Sequence, residues 1–174
     1  MDDQAQDISS RDALPQDVLI QAMRLREQGT EQARIHLVTL SEQHPQHAGV
    51  AYQTAWSHDS LGLEAEAVPF YRRALDLQGL PPEDRHGAFL GLGSTYRVLG
   101  RYEESLTTLR LGLAEFPDDA ALRTFLAMAL HNTGKSREAV RILLLVTAAT
   151  SADPRVQQYR RAISYYADHL DETQ

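Results

Sequence analysis

The chain has 174 residues, enough for one domain with a continuous core, and carries 17 basic against 24 acidic side chains for a formal charge of −7. That balance argues against nucleic acid or an anionic membrane as partner, because either needs a basic face to displace counterions. The lack of any cysteine excludes disulfides, thiol catalysis and thiolate metal sites. The opening MDDQAQDISS is acidic and polar, unlike a signal peptide, and the longest apolar run, near Ile142 to Val146, is too short for a bilayer, so a soluble cytoplasmic protein is expected.

Residues 1–12 lack apolar periodicity and are expected to be a disordered or frayed lead-in. Residues 13–174 are expected to be a single repeat domain, with units near 14–46, 47–84, 85–118 and 119–152 and a C-terminal helix at 153–171. Two markers set this division. Gly29, Gly62, Gly100 and Gly134 are spaced 33, 38 and 34 residues apart, each followed by a small residue (Ala33, Ala67, Ser105, Ala139), and Pro45, Pro81, Pro117 and Pro154 follow the second stretch of each unit. That period is the length of one helix–turn–helix unit, and arrays of this period mostly hold other proteins.

The first unit begins near Pro15, with Val18, Leu19, Ala22 and Leu25 at helical spacing before the Gln28-Gly29 turn, then Ala33, Leu37 and Leu40. The second has Ala51, Ala55 and His58, a turn at Leu61-Gly62, and Ala67, Phe70, Tyr71 and Ala74, a buried stripe that predicts a helix in spite of Pro69. Residues 79–84, GLPPED, read as an enlarged loop. In the third unit Phe89, Leu92, Gly93 and Tyr96 share one face, and Ser105, Leu109 and Gly112 follow the turn; the fourth repeats this with Leu126, Ala127, Leu130, Ala139, Leu143 and Val146. A final helix from Pro154 to Leu170 is expected to be capped by Asp153 and to bury Val156, Tyr159, Ile163, Tyr166 and Leu170. Small residues mark the hairpin crossings, where Ala55 meets Ala67, Gly93 meets Ser105 and Ala127 meets Ala139, with Tyr96 filling the gap beside them.

Leu92-Gly93, Tyr96, the run Gly100-Arg-Tyr-Glu-Glu-Ser105, Leu109 and Pro117 resemble a tetratricopeptide repeat, and the stretch from HDSLGLEAEAVPFYRRALDL to EFPDDAALRTFLAMALHNTGKSREAV is similar to the bacterial group 5 tetratricopeptide proteins. The resemblance covers about residues 14–170. It implies an all-α, right-handed helical-hairpin solenoid of about four helix pairs plus a C-terminal helix, acting as an interaction module that dimerises. The chain departs from the pattern where Val18, Ala51 and Arg123 replace a large aromatic, and where Ser105 and Gly112 replace alanines. The Lys and Asn side chains with which some relatives clamp a C-terminal carboxylate are missing: by alignment those places hold Leu19 and Met23, Tyr52 and Trp56, Leu90 and Ser94, and Thr124 and Met128.

Those positions, with Arg97, His131 and Asn132 as polar fixtures, form the candidate binding groove for a peptide, a partner helix or a second copy of the chain. The other reading is that the C-terminal helix folds back over them and makes them core. His44 and His47 show no converging ligands, so no metal and no cofactor are expected. No phosphate loop, nucleophile elbow or paired-histidine zinc motif is present, and GLGST at 91–95 falls inside a helix, so an enzyme is not expected. The leading function is a non-enzymatic protein–protein interaction module, with a purely structural homodimer as the alternative and an undetected enzyme as a remote one.

Overall fold

The computed structural model describes residues 15–173, so the expectation for residues 1–12 lies outside the described part. The described residues are largely helical, in consecutive packed hairpins of the tetratricopeptide kind, and divide into two compact units, 15–84 and 85–173, with the division in the first turn of one helix.

The first unit holds α1 (Pro15–Gln28), α2 (Glu31–Gln43), α3 (Ala48–Ser60) and α4 (Glu64–Asp76). Thr30 caps α2 by accepting a hydrogen bond from Ala33 N, and His47 caps α3 through Nδ1, which accepts from Val50 N. His47 therefore has a helix-capping role in the inter-repeat turn. Val18 and Ala22 of α1, Leu37 and Leu40 of α2, and Val50 of α3 share one core, with Leu25 packed against it. Ala55 and Ala67 at the α3–α4 crossing are fully buried. α4 continues through Pro69, whose exposed ring removes a single backbone bond near the start of the helix.

The second unit contains most of α5 (Pro82–Val98), then α6 (Tyr102–Glu115), α7 (Ala120–Asn132) and α8 (Ser136–Thr150), followed by α9 (Pro154–Gln158) and α10 (Arg160–Asp168). The extra residues between repeats two and three do not all form a loop. Helix α5 already starts at Pro82, whose fixed φ suits a first helical turn, so α5 has 17 residues. Gly100 and Gly134 take φ of +74° and +77° between paired helices, a left-handed conformation that a side chain disfavours. At the α5–α6 crossing the Ser105 hydroxyl donates to the Gly93 carbonyl at 2.6 Å, and Leu109 packs directly on Gly93. Ala127 and Ala139 are both buried in the next hairpin.

The C-terminal segment differs from the single helix expected at 153–171. It breaks at Tyr159, whose N–H donates to Val156 O, and restarts when Ile163 N donates to Tyr159 O. Two separate attachments to α8 explain the break. Gln157 donates to the carbonyls of Ser151 and Ala148 and holds α9 at the end of α8, whereas α10 runs along α8 with Ala167 buried and with Arg141–Asp168 and Arg137–Asp171 ion pairs. Ala167 is the residue buried from α10; Tyr159 and Tyr166, expected in the apolar stripe, face solvent.

Candidate interaction surface

In the first unit, Leu19 lies half-buried over Gly49, and Met23 is exposed. Trp56 is 40% exposed and lies under the Arg26 guanidinium, 4.0 Å from its ring centroid, a contact typically worth about 0.5–1 kcal/mol at an exposed site. Tyr52 is not on the surface with them. It is buried between Trp56 and Tyr71, with ring centroids at 5.7 and 6.3 Å, and burial, reinforced by the charge of Asp84, pushes its phenol up to about 12. Trp56 and Met23 are thus the exposed side chains here, and Tyr52 is buried against Trp56.

Buried behind this face is His58. Its Nδ1–H donates to the Thr54 carbonyl at 2.8 Å, Arg34 Nη1 donates to Nε2 at 2.9 Å, and the ring stacks on Phe70. With one nitrogen donating and the other accepting, the ring is neutral. Burial is the main cause that lowers its pKa from 6.5; the Thr54 carbonyl, Glu66 and Glu31 oppose this, and Arg34 adds to it. Unfolding restores the ordinary value, so the unfolded chain binds more protons below about pH 6.5. The contribution of His58 is therefore present above that pH and lost as pH falls toward the folded pKa. Urea unfolding at about pH 7.5 and about pH 5 should show a larger stability loss in wild type than in His58→Gln. Equal losses would show that His58 does not carry this dependence.

In the second unit the sequence-derived positions separate into two groups. Leu90, Ser94 and Thr124 are half-buried, and the Thr124 hydroxyl donates to Ala120 O of its own helix. Arg97, Met128, His131 and Asn132 come together around an open cleft of about 310 Å³. Ala127 and Ala139 form its floor, and α8 contributes Ser136, Val140 and Leu143. The apolar wall is open: Met128 is 40%, Val140 44% and Leu143 39% exposed. The Ser136 hydroxyl and His131 Nδ1 are 3.4 Å apart at the rim. No carboxylate lines the cleft. Among the described residues no group of three or more His, Asp or Glu could hold a metal ion, and no helix is long and apolar enough to cross a membrane.

Val140 and Leu143 as surface residues are not apparent from the repeat pattern, which places Leu143 with the core. The one available signal is the unbroken run from Ile142 to Val146, which is apolar on every face of a helix and so cannot be wholly buried by one neighbour.

Helical hairpins with glycine turns, small-residue crossings and an open apolar cleft define a helical-repeat interaction module. A sequence model of the tetratricopeptide repeat family, group 5, matches residues 48–170. The chain belongs to that family. Helices α1 and α2 precede the matched span and form a hairpin of the same kind. No curated protein matches the chain.

Proposed function

We propose that this chain is a non-enzymatic protein–protein interaction module that binds a peptide, a partner helix or a second copy of itself. The contact surfaces are the Met23–Trp56 face of the first unit and the Met128–Val140–Leu143 cleft of the second. The observation that carries this reading is the cleft. Three large apolar side chains stand open together around a polar rim, in a family whose members present such surfaces to proteins.

A second reading, a structural homodimer without other ligand, has its own support in the exposed rings of Tyr159, Tyr165 and Tyr166 on the C-terminal segment. One experiment separates the two. A photo-crosslinking benzoylphenylalanine is placed at Met128, at Tyr166, or at exposed Leu111 as a control, and the full chain is irradiated in native cell extract. Attachment to a different polypeptide from position 128 and not from 111 is expected. An adduct at twice the 19.5 kDa chain mass would identify the homodimer, and no position-dependent adduct would refute both.

A further inference from the structure

The outer side of α4 carries two positive charges without a negative partner. Pro69, Arg72, Arg73 and Asp76 follow one another at i, i+3, i+4 and i+7, so they share one face of the helix, opposite the buried Ala67, Tyr71 and Ala74. With Leu77 they line an open cleft of about 290 Å³.

Arg73 is held in place there. Its Nη2 donates to the hydroxyl of buried Ser41 on α2, and its guanidinium lies 5.3 Å from the Phe70 ring centroid. What it lacks is a counter-charge. The half-buried arginines of the first unit are Arg26, Arg34 and Arg73, of which Arg26 reaches Glu27 and Arg34 pairs with Glu31. Among the described residues no carboxylate lies within ion-pair distance of Arg73, whose Nε is shielded from water and has no acceptor. Burial lowers its pKa from the ordinary guanidinium value, with no neighbouring charge to raise it again. Arg72 is exposed beside it and also has no carboxylate partner among the described residues. Asp76 stands three and four residues on, a spacing at which helix ion pairs form, yet it pairs with neither arginine. A partly desolvated guanidinium without a counter-charge is costly, and an incoming anion would relieve it.

We propose that this cleft binds a phosphoryl group, as free phosphate or on a phosphorylated side chain, between Arg72 and Arg73. Arg73, fixed by Ser41 and Phe70, supplies the positioned charge, and exposed Arg72 closes on the anion from the solvent side. The charge selects this chemistry over a carboxylate. Two guanidinium groups are to be neutralised, a phosphoryl group carries about −1.5 to −2 at pH 7 on three acceptor oxygens, and the carboxylate already at the rim leaves both arginines unpaired. The site shares no residue with the proposed contact surfaces and does not depend on the interaction reading.

The test titrates the full chain, in chloride buffer, with inorganic phosphate, a short glycine-flanked phosphoserine peptide, the same peptide unphosphorylated, and acetate. Binding is followed by calorimetry and by nuclear magnetic resonance of the arginine Nε–H groups. Saturable binding of phosphate with a Kd of about 1 mM or tighter is expected, and the Arg73 Nε–H resonance should move with it. Arg72→Ala and Arg73→Gln should each weaken binding about tenfold, and Asp76→Asn, which removes the negative charge of the lining, should tighten it. If Arg73→Gln melts early through loss of the Ser41 contact, exposed Arg72→Ala carries the test by itself. A phosphoserine peptide that binds more tightly than phosphate, with its unphosphorylated form silent, identifies a phosphorylated side chain as the ligand; equal affinities identify phosphate itself. Acetate binding as tightly as phosphate, phosphate binding indifferent to Arg72→Ala, weaker binding in Asp76→Asn, or no saturation would each overturn the proposal.

Discussion

Gly93→Leu should lower the melting temperature by about 4–8 °C, the shift that about 2 kcal/mol produces in a chain of this length. A Cβ added at Gly93 would sit 2.6 Å from Leu109 Cγ and 2.7 Å from Cδ2, closer than carbon atoms tolerate. Leu109 is itself fully buried and has no free space to retreat into. Overpacking of this kind costs about 1–3 kcal/mol, and leucine adds three further carbons to the same crossing, which puts it at the upper end. Replacing a helical glycine gains roughly 1 kcal/mol of propensity, so the observed loss is the balance of the two. Separation of α5 from α6 would also break the Ser105–Gly93 hydrogen bond. Arg97→Ala, on the same helix, should stay within about 0.5 kcal/mol of wild type. Equal melting of the two variants, followed by circular dichroism, would show that α5 and α6 do not cross at Gly93.

The hairpins were legible because their determinants are local. A glycine at positive φ, a small residue four or five positions on and a proline past the second helix each act within one repeat, so the sequence carries them directly. The features it concealed depend on distant partners. The break at Tyr159 follows from Gln157 holding the end of α8 while Asp168 and Asp171 pair with Arg141 and Arg137, none of which helical periodicity can register. Tyr52 and Trp56 occupy one helix face by spacing, yet Tyr71 covers the first and leaves the second to solvent. Leu109 and Leu143 have the same neighbours in sequence pattern, and only the element that follows each hairpin distinguishes core from surface.

That last pair decides whether the fourth hairpin presents as a surface what the third buries. Leucine and glutamate have similar helix propensities, so Leu109→Glu and Leu143→Glu differ only in what surrounds the side chain. At position 109 the carboxylate would be completely buried among apolar groups, with both the lost packing and the unpaired charge opposing folding, for a cost of about 4 kcal/mol or more. At position 143 the side chain is 39% exposed beside the open cleft, and the carboxylate can remain in water for about 1 kcal/mol or less. Thermal melts of the two variants beside wild type are the measurement. The Leu143→Glu protein should melt within a few degrees of wild type, and the Leu109→Glu protein should be largely unfolded at the temperature where the other is native. Collapse of both would show that Leu143 is core and that the cleft does not exist in solution.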